Sequence, residues 1–293
     1  MVKILITGKD SFVGKNYIRI SENKEIDEIS MFENEPEDIR FEGYDVVIHL
    51  VAIVHQSKKI RESEYSRVNR DLCVRSAECA KKAGVKHFIF LSSVKVYGIF
   101  TKNSLPWNEN SACFPDDSYG KSKYEAEQLI MEMDDRDYAV SIIRTPLVYG
   151  EGVKANMLSI LKLVDRFSVL PFKAINNRRS FTAVENLVAF IDRIINIRIS
   201  GIFIAMDPKA MSTTELVLLI SKFLEKKIVL FKVPRFVIRM GIWIMPRIFE
   251  RLFGSYEMDN TATLQKLDFS PPFTTEQCLE KLVISFKQNK KIH

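Results

Sequence analysis

The sequence is poor in cysteine and contains no long apolar run. Its four cysteines form no C-x-x-C pair, so we expect buried free thiols in a reducing compartment and no metal site. No stretch reaches the roughly 18 apolar residues that a membrane-spanning helix needs. Residues 1–8 are typical of a strand and lack the apolar region and cleavage site of a signal peptide. These absences favour a cytoplasmic protein with no spanning segment.

The charge distribution contains no long basic run with interleaved aromatic residues, which argues against a nucleic-acid partner. The 43 lysines and arginines and the 37 acidic residues leave a mild net charge of +6. Anionic small substrates and a membrane surface remain compatible with this charge. A chain of 293 residues with 46% hydrophobic content can bury most of its apolar surface without disulfides or metals.

Strand-like and helix-like segments alternate through the first half of the chain. Continuous apolar strands separated by helices predict a parallel sheet covered on both faces, which is a Rossmann-type doubly wound α/β fold. An acidic stretch between Ile26 and Phe41 leaves room only for a shortened second crossover. We expect one domain at 1–150, with the chain returning at about 176–206, and a smaller mixed α/β lobe at 151–175 and 207–293.

A glycine-containing turn at 7–14 (T-G-K-D-S-F-V-G) follows the first strand and opens a helix. A dinucleotide-binding fingerprint requires this context, because free N–H groups and the helix dipole suit a pyrophosphate. Gly8 permits the tight turn, and Gly14 permits close packing of the helix on the sheet. Ser11 replaces the usual middle glycine, and a plain glycine turn is the alternative interpretation. The predicted cofactor-binding residues here are Gly8, Ser11, Phe12, Val13 and Gly14.

Tyr119 and Lys123 share one helix face, because four residues make about one helical turn. A tyrosine exchanges protons near neutral pH only when its pKa falls from about 10, and a nearby cation favours the phenolate. Surface Tyr–Lys pairs are common, but of the nine tyrosines only Tyr119 has a lysine four residues later. The pair is therefore a candidate acid–base site.

Two serines, Ser92 and Ser93, follow directly after the apolar run 87–91. Ligands bind at the carboxyl ends of strands in open α/β sheets, so a serine there can hydrogen-bond a substrate oxygen. A turn with polar caps is the alternative. The glycine turn, the serines and the tyrosine occur in the expected order, and together they favour one site more strongly than any does alone.

Together with further segments, these residues resemble the extended short-chain dehydrogenase/reductase family, of the NAD-dependent epimerase/dehydratase type. The resemblance covers essentially the whole chain and implies an enzyme that uses NAD(P) to move hydride at a sugar carbon of a nucleotide-sugar. It also implies that residues 1–150 hold the cofactor and that the smaller lobe holds the substrate. The segments that carry it are T-G-x-x-S-x-x-G (7–14), D-V-V-I-H-L-V-A (45–52), V-N-R (68–70), S-S-V-K-V-Y-G (92–98), Y-x-x-x-K (119–123), R-T-P-L-V-Y-G (144–150) and R-S-F-T-A-V (179–184).

The resemblance implies roles for single residues. Tyr119 is the expected acid–base residue, Lys123 its electrostatic partner and a ligand of the nicotinamide ribose, and Ser93 the partner of the substrate oxygen. Further cofactor contacts are expected at Leu50, Val51, Ala52, Asn69 and Pro146. Further substrate contacts are expected at Lys95, Asn156 and Arg179, of which Asn156 and Arg179 match ligands of a nucleotide diphosphate.

Val94 and Lys95 depart from one branch of the family. Sugar 4,6-dehydratases carry an Asp-Glu pair at this place, since the elimination of water needs an acid and a base. The resemblance therefore implies a 4-epimerase or a 4-keto-reductase, with a lean to the reductase, acting on a UDP-hexose or UDP-N-acetylhexosamine in surface polysaccharide biosynthesis. The alternatives are an epimerase of a polyprenyl-diphosphate-linked sugar and a non-catalytic NAD(P)-binding regulator. A regulator has no need of Ser93, Tyr119 and Lys123 together.

The sequence does not decide between NAD and NADP, because two charged residues point to different cofactors. Glu33 lies near the spacing at which an acidic residue selects NAD through the ribose 2′-hydroxyl, whereas Lys9 suits a 2′-phosphate. A homodimer is expected from the resemblance alone.

The apolar segment 233–254 has three competing interpretations. It forms core helices of the smaller lobe, or its arginines face the nucleotide diphosphate, or it lies on a membrane as a peripheral contact. Pro246 should break its helix. Its arginines are Arg235, Arg239, Arg247 and Arg251.

Overall fold

The computed structural model describes residues 2–22, 25–54, 60–98, 105–244, 249 and 252–292, with the backbone alone at 235, 238, 239, 242, 291 and 292. The strands are β1 (Ile4–Thr7), β2 (Ile26–Ile29), β3 (Val46–His49), β4 (His87–Ser93), β5 (Ala139–Thr145), β6 (Leu147–Tyr149), β7 (Val169–Leu170), β8 (Phe181–Ala183), β9 (Gly201–Ile204) and β10 (Val229–Leu230). The α-helices are α1 (Phe12–Ile20), α2 (Glu62–Tyr65), α3 (Leu72–Lys82), α4 (Ser118–Met131), α5 (Ala155–Arg166), α6 (Val184–Ile197), α7 (Thr213–Phe223), α8 (Arg235–Ile244), α9 (Thr261–Leu267) and α10 (Thr275–Ile292).

Six parallel strands form the central sheet in the order β2-β1-β3-β4-β5-β9. Parallel strands bury both faces, and β3, β4 and β5 are accordingly almost entirely buried apolar runs. The chain leaves β1 for β2 on one side and returns to β3 on the other. The carboxyl ends of β1 and β3 therefore border a crevice, the usual ligand position in such sheets. The predicted doubly wound α/β fold is confirmed.

The second crossover, between β2 and β3, is short. Within the fully described stretch 25–54 its one helical turn is a 3₁₀ helix at Pro36–Asp38. The predicted shortening is therefore confirmed, and β3 takes the place beside β1.

Alternate residues of the strands face opposite layers of helices. Leu5 and Val47 face a core shared with α3 and α4, whereas Ile4 and Ile6 face a core shared with α1 and α6. The hydroxyl of Tyr17 on α1 donates to Asp192 on α6 at 2.5 Å, which ties these two helices together.

A third core lies outside the central sheet. It is built around α5, α7 and α10, which contribute Leu161, Val217 and Leu282 to one buried cluster. Two small parallel pairs, β6 with β8 and β7 with β10, border it. Among the described residues, none of the helices has the length and hydrophobicity that a membrane span requires.

Candidate active site

The glycine turn lies at the crevice between β1 and β3. Gly8 has a φ of +113°, where an L side chain is strained, and a Cβ there would lie 3.2 Å from the carbonyl carbon of Leu50. Gly14 is buried, and a Cβ there would lie 3.4 Å from Leu50 Cδ1. The two glycines therefore let the turn and α1 approach the end of β3 closely. This leaves a cradle, lined by the N-terminus of α1, that fits a dinucleotide phosphate.

Ser11 is the N-cap of α1. Its hydroxyl oxygen accepts a hydrogen bond from Gly14 N–H at 3.1 Å, so the hydroxyl hydrogen remains able to donate elsewhere. Phe12 and Val13 follow as the first helical residues, whose N–H groups have no partner inside the helix. The serine in place of the middle glycine thus serves to cap α1, and its contact with a phosphate stays a prediction.

Three residues predicted to lie under the cofactor follow β3. Leu50 and Val51 are buried, and Leu50 N–H donates to the Thr7 carbonyl at 2.9 Å, which continues the strand ladder. Ala52 is half-buried beside them. Pro146 is buried between β5 and β6. These positions put all four at carboxyl ends of central strands.

Asn69 connects this region to the tyrosine helix. It is fully buried in a π-helical stretch at Ser66–Asp71, and such stretches are frequent at functional sites. Its side-chain oxygen accepts from Ile53 N–H at 2.7 Å, and its side-chain nitrogen donates to Ser122 Oγ at 3.1 Å. Ser122 in turn donates to the Tyr119 carbonyl at 2.9 Å. The sequence did not single out Ser122, although it lies between Tyr119 and Lys123.

Ser93 and Tyr119 meet at the carboxyl end of β4, where the Ser93 side chain lies close enough to lower the pKa of Tyr119. Asp117 begins α4 by accepting a hydrogen bond from Gly120 N–H at 2.7 Å. Gly120 packs against the Lys95 carbonyl oxygen, where a Cβ would lie only 2.6 Å away. A glycine after the tyrosine therefore lets the start of α4 rest on the Ser93 loop.

Lys123 is directed at the sheet. Its side chain is 1% exposed, and its ammonium donates to the Leu91 carbonyl at 2.9 Å and lies 4.3 Å from the centre of the Phe90 ring. Burial lowers the pKa of Lys123 to about 8. The lysine thus lies one turn from Tyr119, as its spacing predicts, but its charge is held on β4.

The pKa of Tyr119 is raised to about 12, and not lowered as we expected from the sequence. Burial is the largest cause and the Asp117 carboxylate adds to it, whereas the hydrogen bond from Ser93 acts in the opposite direction. Because the Lys123 ammonium is bonded to the sheet, it does not offset the burial. In this arrangement Tyr119 is a protonated phenol at neutral pH.

Lys95, predicted to bind substrate, forms an ion pair with Asp117 at 2.8 Å. The lysine side chain is 41% exposed, so part of it remains accessible. Its charge supports the residue that caps α4. Neighbouring Val94 is buried.

Arg179 is joined to the Ser93 loop through Tyr256. The Arg179 guanidinium donates to the Gly254 carbonyl at 3.0 Å and lies 6.0 Å from the centre of the Tyr256 ring. The Tyr256 hydroxyl lies 2.9 Å from the carbonyl oxygens of both Val94 and Gly98. Tyr256 carries no local sequence signal, because its partners lie about 160 residues away.

Asn156 is exposed in the first turn of α5, and no described hydrogen bond ties it to the Ser93–Tyr119 pair. Glu33 and Lys9, the two candidates for cofactor selection, are both exposed near the end of β2. The preference between NAD and NADP therefore stays open.

A buried ion pair supports the site from within. Glu127, two turns after Tyr119, is bound by Arg144 of β5 at 2.6 Å, and both side chains are at most 2% exposed. Arg144 also donates to the Tyr97 hydroxyl at 2.9 Å, and Ser92 donates to Glu127. The network links α4, β4 and β5. Nothing in the local sequence pattern identifies it, since a buried charge is recognised only by its partner.

The segment 233–254 forms α8 in its first part. One face of this helix is exposed, so the interpretation of the segment as a core helix does not hold for that face. The exposed residues are Phe236, Met240, Trp243 and Ile244. Pro246, Arg247 and Arg251 lie outside the described residues, as do the side chains of Arg235 and Arg239.

The curated relatives that match the chain include two 4-epimerases. UDP-glucose 4-epimerase of Vibrio cholerae is 33% identical over 299 residues, covering 97% of this chain and 90% of that protein. N-acetyl-alpha-D-glucosaminyl-diphospho-ditrans,octacis-undecaprenol 4-epimerase of Escherichia coli O157:H7 is 30% identical over 197 residues, covering 66% of this chain and 58% of that protein.

Among solved structures, a dTDP-4-dehydrorhamnose reductase from Clostridium acetobutylicum superposes with a TM-score of 0.80 at 17% identity, covering 98% of this chain and 100% of the other. This likeness confirms the fold.

The model of the NAD dependent epimerase/dehydratase family matches residues 4–201. That range contains the glycine cradle, the Ser93–Tyr119 pair and Arg179. The resemblance drawn from the motifs is confirmed, as are the enzyme class and the NAD(P) cofactor at the level of the family. The chain belongs to the NAD dependent epimerase/dehydratase family.

Proposed function

We propose that the chain moves hydride at C4 of a nucleotide-linked hexose, as an NAD(P)-dependent 4-epimerase or 4-keto-reductase. The observation that carries the proposal is the placement of Tyr119 beside Ser93, where Gly120 rests on the Lys95 carbonyl, on the same edge of the sheet as the Gly8 cradle. The nicotinamide ring supplies or accepts the hydride. Gly8, Ser11, Phe12, Val13 and Gly14 would hold its pyrophosphate.

Tyr119 moves the proton of the C4 oxygen. A protonated phenol donates to a 4-keto oxygen, and Ser93 holds that oxygen by a second hydrogen bond. In the opposite direction the phenol must lose its proton, which a pKa of about 12 opposes. Loss of that proton therefore needs positive charge near the phenol beyond that of Lys123, whose ammonium is bonded to the Leu91 carbonyl.

The nucleotide diphosphate would bind where the smaller lobe, 151–175 and 207–293, meets the returning chain, 176–206. Arg179 is the candidate diphosphate ligand because a planar guanidinium matches phosphate oxygens. The carbonyl of Gly254 and the ring of Tyr256 fix its position. Asn156, exposed at the start of α5, is the second candidate.

Dehydration is the activity that the site is least suited to. The places of the dehydratase acid and base are taken by Val94, which is apolar and buried, and Lys95, which is paired with Asp117. Asp117, the acidic residue that pairs with Lys95, serves as the N-cap of α4. The site therefore supports chemistry that needs only hydride transfer and one proton donor.

Replacing Tyr119 by Phe tests this role. We expect turnover to fall by roughly 10²–10⁴-fold, because general acid–base catalysis contributes about this much. Tyr124→Phe, on the same helix, is the matched control and should keep activity. UDP-glucose, UDP-N-acetylglucosamine and the UDP-4-keto-6-deoxy sugar would be supplied, each with NADH or NADPH, and products read by NMR. Full activity of Tyr119→Phe on an accepted substrate would contradict the mechanism.

The same assay separates epimerase from reductase. An epimerase inverts C4 without net loss of NADH or NADPH, whereas a reductase consumes one equivalent per product. Both curated relatives named above are 4-epimerases, which supports the epimerase. The segments 153–157, 170–172 and 176–187 resemble a subgroup that includes both UDP-glucose 4-epimerases and reductases of UDP-4-keto-6-deoxy-N-acetylhexosamines, so they do not separate the two activities.

A lipid-linked sugar diphosphate is the second candidate substrate. The Escherichia coli relative, whose name specifies an undecaprenol-linked sugar, and the exposed apolar face of α8 favour it. Conversion of a polyprenyl-diphosphate-linked N-acetylglucosamine, with no conversion of any UDP-sugar, would select this candidate over the first.

A further inference from the structure

Helix α8 exposes one apolar face. Phe236, Met240, Trp243 and Ile244 are 69%, 53%, 85% and 58% exposed. Their spacing of four, seven and eight residues places them on one side of a helix. Large apolar side chains grouped in this way mark a contact surface, whereas single exposed ones need no explanation.

Another side of α8 is packed on the protein. Gly241 is buried, and a Cβ there would overlap the ring of Phe249. Phe249 stacks on Phe253, whose side chain packs on the third core. The helix is thus seated on the smaller lobe with its apolar face directed outward.

The small sheet before α8 also exposes apolar side chains. Val169 of β7 pairs with Val229 of β10, and both are more than half exposed. Phe231, two residues after Val229 and therefore on the same side of the strand, is 48% exposed. Only three residues separate Phe231 from the start of α8.

The charge of the chain is concentrated in the same region. Residues 226–253 contain seven lysines and arginines and one acidic residue, a net charge of +6. This equals the net charge of the whole protein, so the remaining residues are balanced. Apolar and aromatic side chains combined with basic ones are the features of a helix that lies in the surface of an anionic bilayer.

We propose that α8 and β10 form a membrane-docking surface, whose occupant is the headgroup layer of a bilayer rich in anionic lipid. The helix has ten residues and lies along the surface without crossing it. The chain after α8 leads to Gly254 and Tyr256, which contact Arg179 and the Ser93 loop. Docking would therefore place the candidate active site next to the membrane. The proposal does not depend on the proposed function, because docking is measured without substrate.

Sedimentation with vesicles tests the proposal on the full chain. Vesicles of phosphatidylcholine with phosphatidylglycerol should pellet the protein, and vesicles of phosphatidylcholine alone should pellet roughly tenfold less, because the attraction is partly electrostatic. The double variant Phe236→Ser/Trp243→Ser should bind anionic vesicles at least roughly tenfold more weakly. Phe32→Ser is the matched control, since Phe32 is 83% exposed outside this surface, and it should bind as the unchanged protein does.

Tryptophan fluorescence gives an independent reading. The chain has two tryptophans, Trp107 and Trp243, so Trp107→Phe leaves Trp243 as the only emitter. Its emission should shift to the blue with anionic vesicles. A protein that stays in the supernatant with every vesicle would overturn the proposal. A blue shift that appears without lipid as protein concentration rises would also overturn it, because a second copy of the chain would then cover the face.

Discussion

Removing the charge of Glu127 should destabilise the protein strongly, although the residue touches no solvent. Its carboxylate accepts three hydrogen bonds from Arg144, two at 3.1 Å and one at 2.6 Å. Ser92 donates a further one. In Glu127→Gln the shape is kept, but the Arg144 guanidinium, 2% exposed, has no counter-charge.

The expected loss is about 3–5 kcal/mol, the usual cost of leaving one partner of a buried ion pair uncompensated. At roughly 2 °C per kcal/mol for a chain of this size, the melting temperature should fall by about 6–10 °C. Circular dichroism melts measure this directly. Glu64→Gln, which breaks an exposed pair with Arg67, is the control and should cost no more than about 1 kcal/mol.

The double variant Glu127→Leu/Arg144→Met separates charge from packing. It removes both charges, so it should be more stable than Glu127→Gln, because no unpaired charge is left in the core. A loss in the double variant equal to the sum of the losses in Glu127→Leu and in Arg144→Met would refute this reasoning. So would a loss below about 0.5 kcal/mol for Glu127→Gln, the range of ordinary surface substitutions.

Two further predictions concern the titration of the site. Burial holds the pKa of Lys123 near 8, below its ordinary value of 10.5, so the folded protein binds this proton less readily than the unfolded chain. This group should therefore make the free energy of unfolding rise between pH 8 and 10.5. Urea melts should show Lys123→Met to be more stable than the unchanged protein at neutral pH but not at pH 10.5. A stability advantage that is the same at both pH values would contradict this. Because the Asp117 carboxylate raises the pKa of Tyr119, Asp117→Asn should lower that pKa while keeping an N-cap side chain. A titration of phenolate absorbance, with Tyr119→Phe as the reference, should show the shift toward lower pH. An unmoved titration would show that burial alone sets this pKa.

Most elements of the central domain could be predicted from local pattern. Helix α1 begins within the glycine turn, as that turn predicts, and β3, β4 and β5 are the continuous apolar runs expected of buried parallel strands. The exception is β2, which the pattern left undefined. It is an edge strand with the sequence I-D-E-I, only half-buried, so no apolar run marks it.

The candidate site could be predicted in its reactive groups but not in their partners. Ser93 and Tyr119 follow from position after a strand and from spacing on a helix, and the structure brings them close together. The pKa of Tyr119 could not be predicted, because it depends on burial and on where the Lys123 ammonium points. Tyr256 could not be predicted either, since only the folded chain brings it to the Ser93 loop.

The sequence by itself determined the alternation of strands and helices, the glycine turn, and the order of serine, tyrosine and lysine. These are local properties, set by side-chain period, backbone freedom and helical spacing. The tertiary structure alone decided that Lys123 bonds to Leu91, that Lys95 pairs with Asp117, and that α8 keeps an apolar face exposed. Those outcomes depend on burial and on contacts between distant segments, and local pattern contains neither.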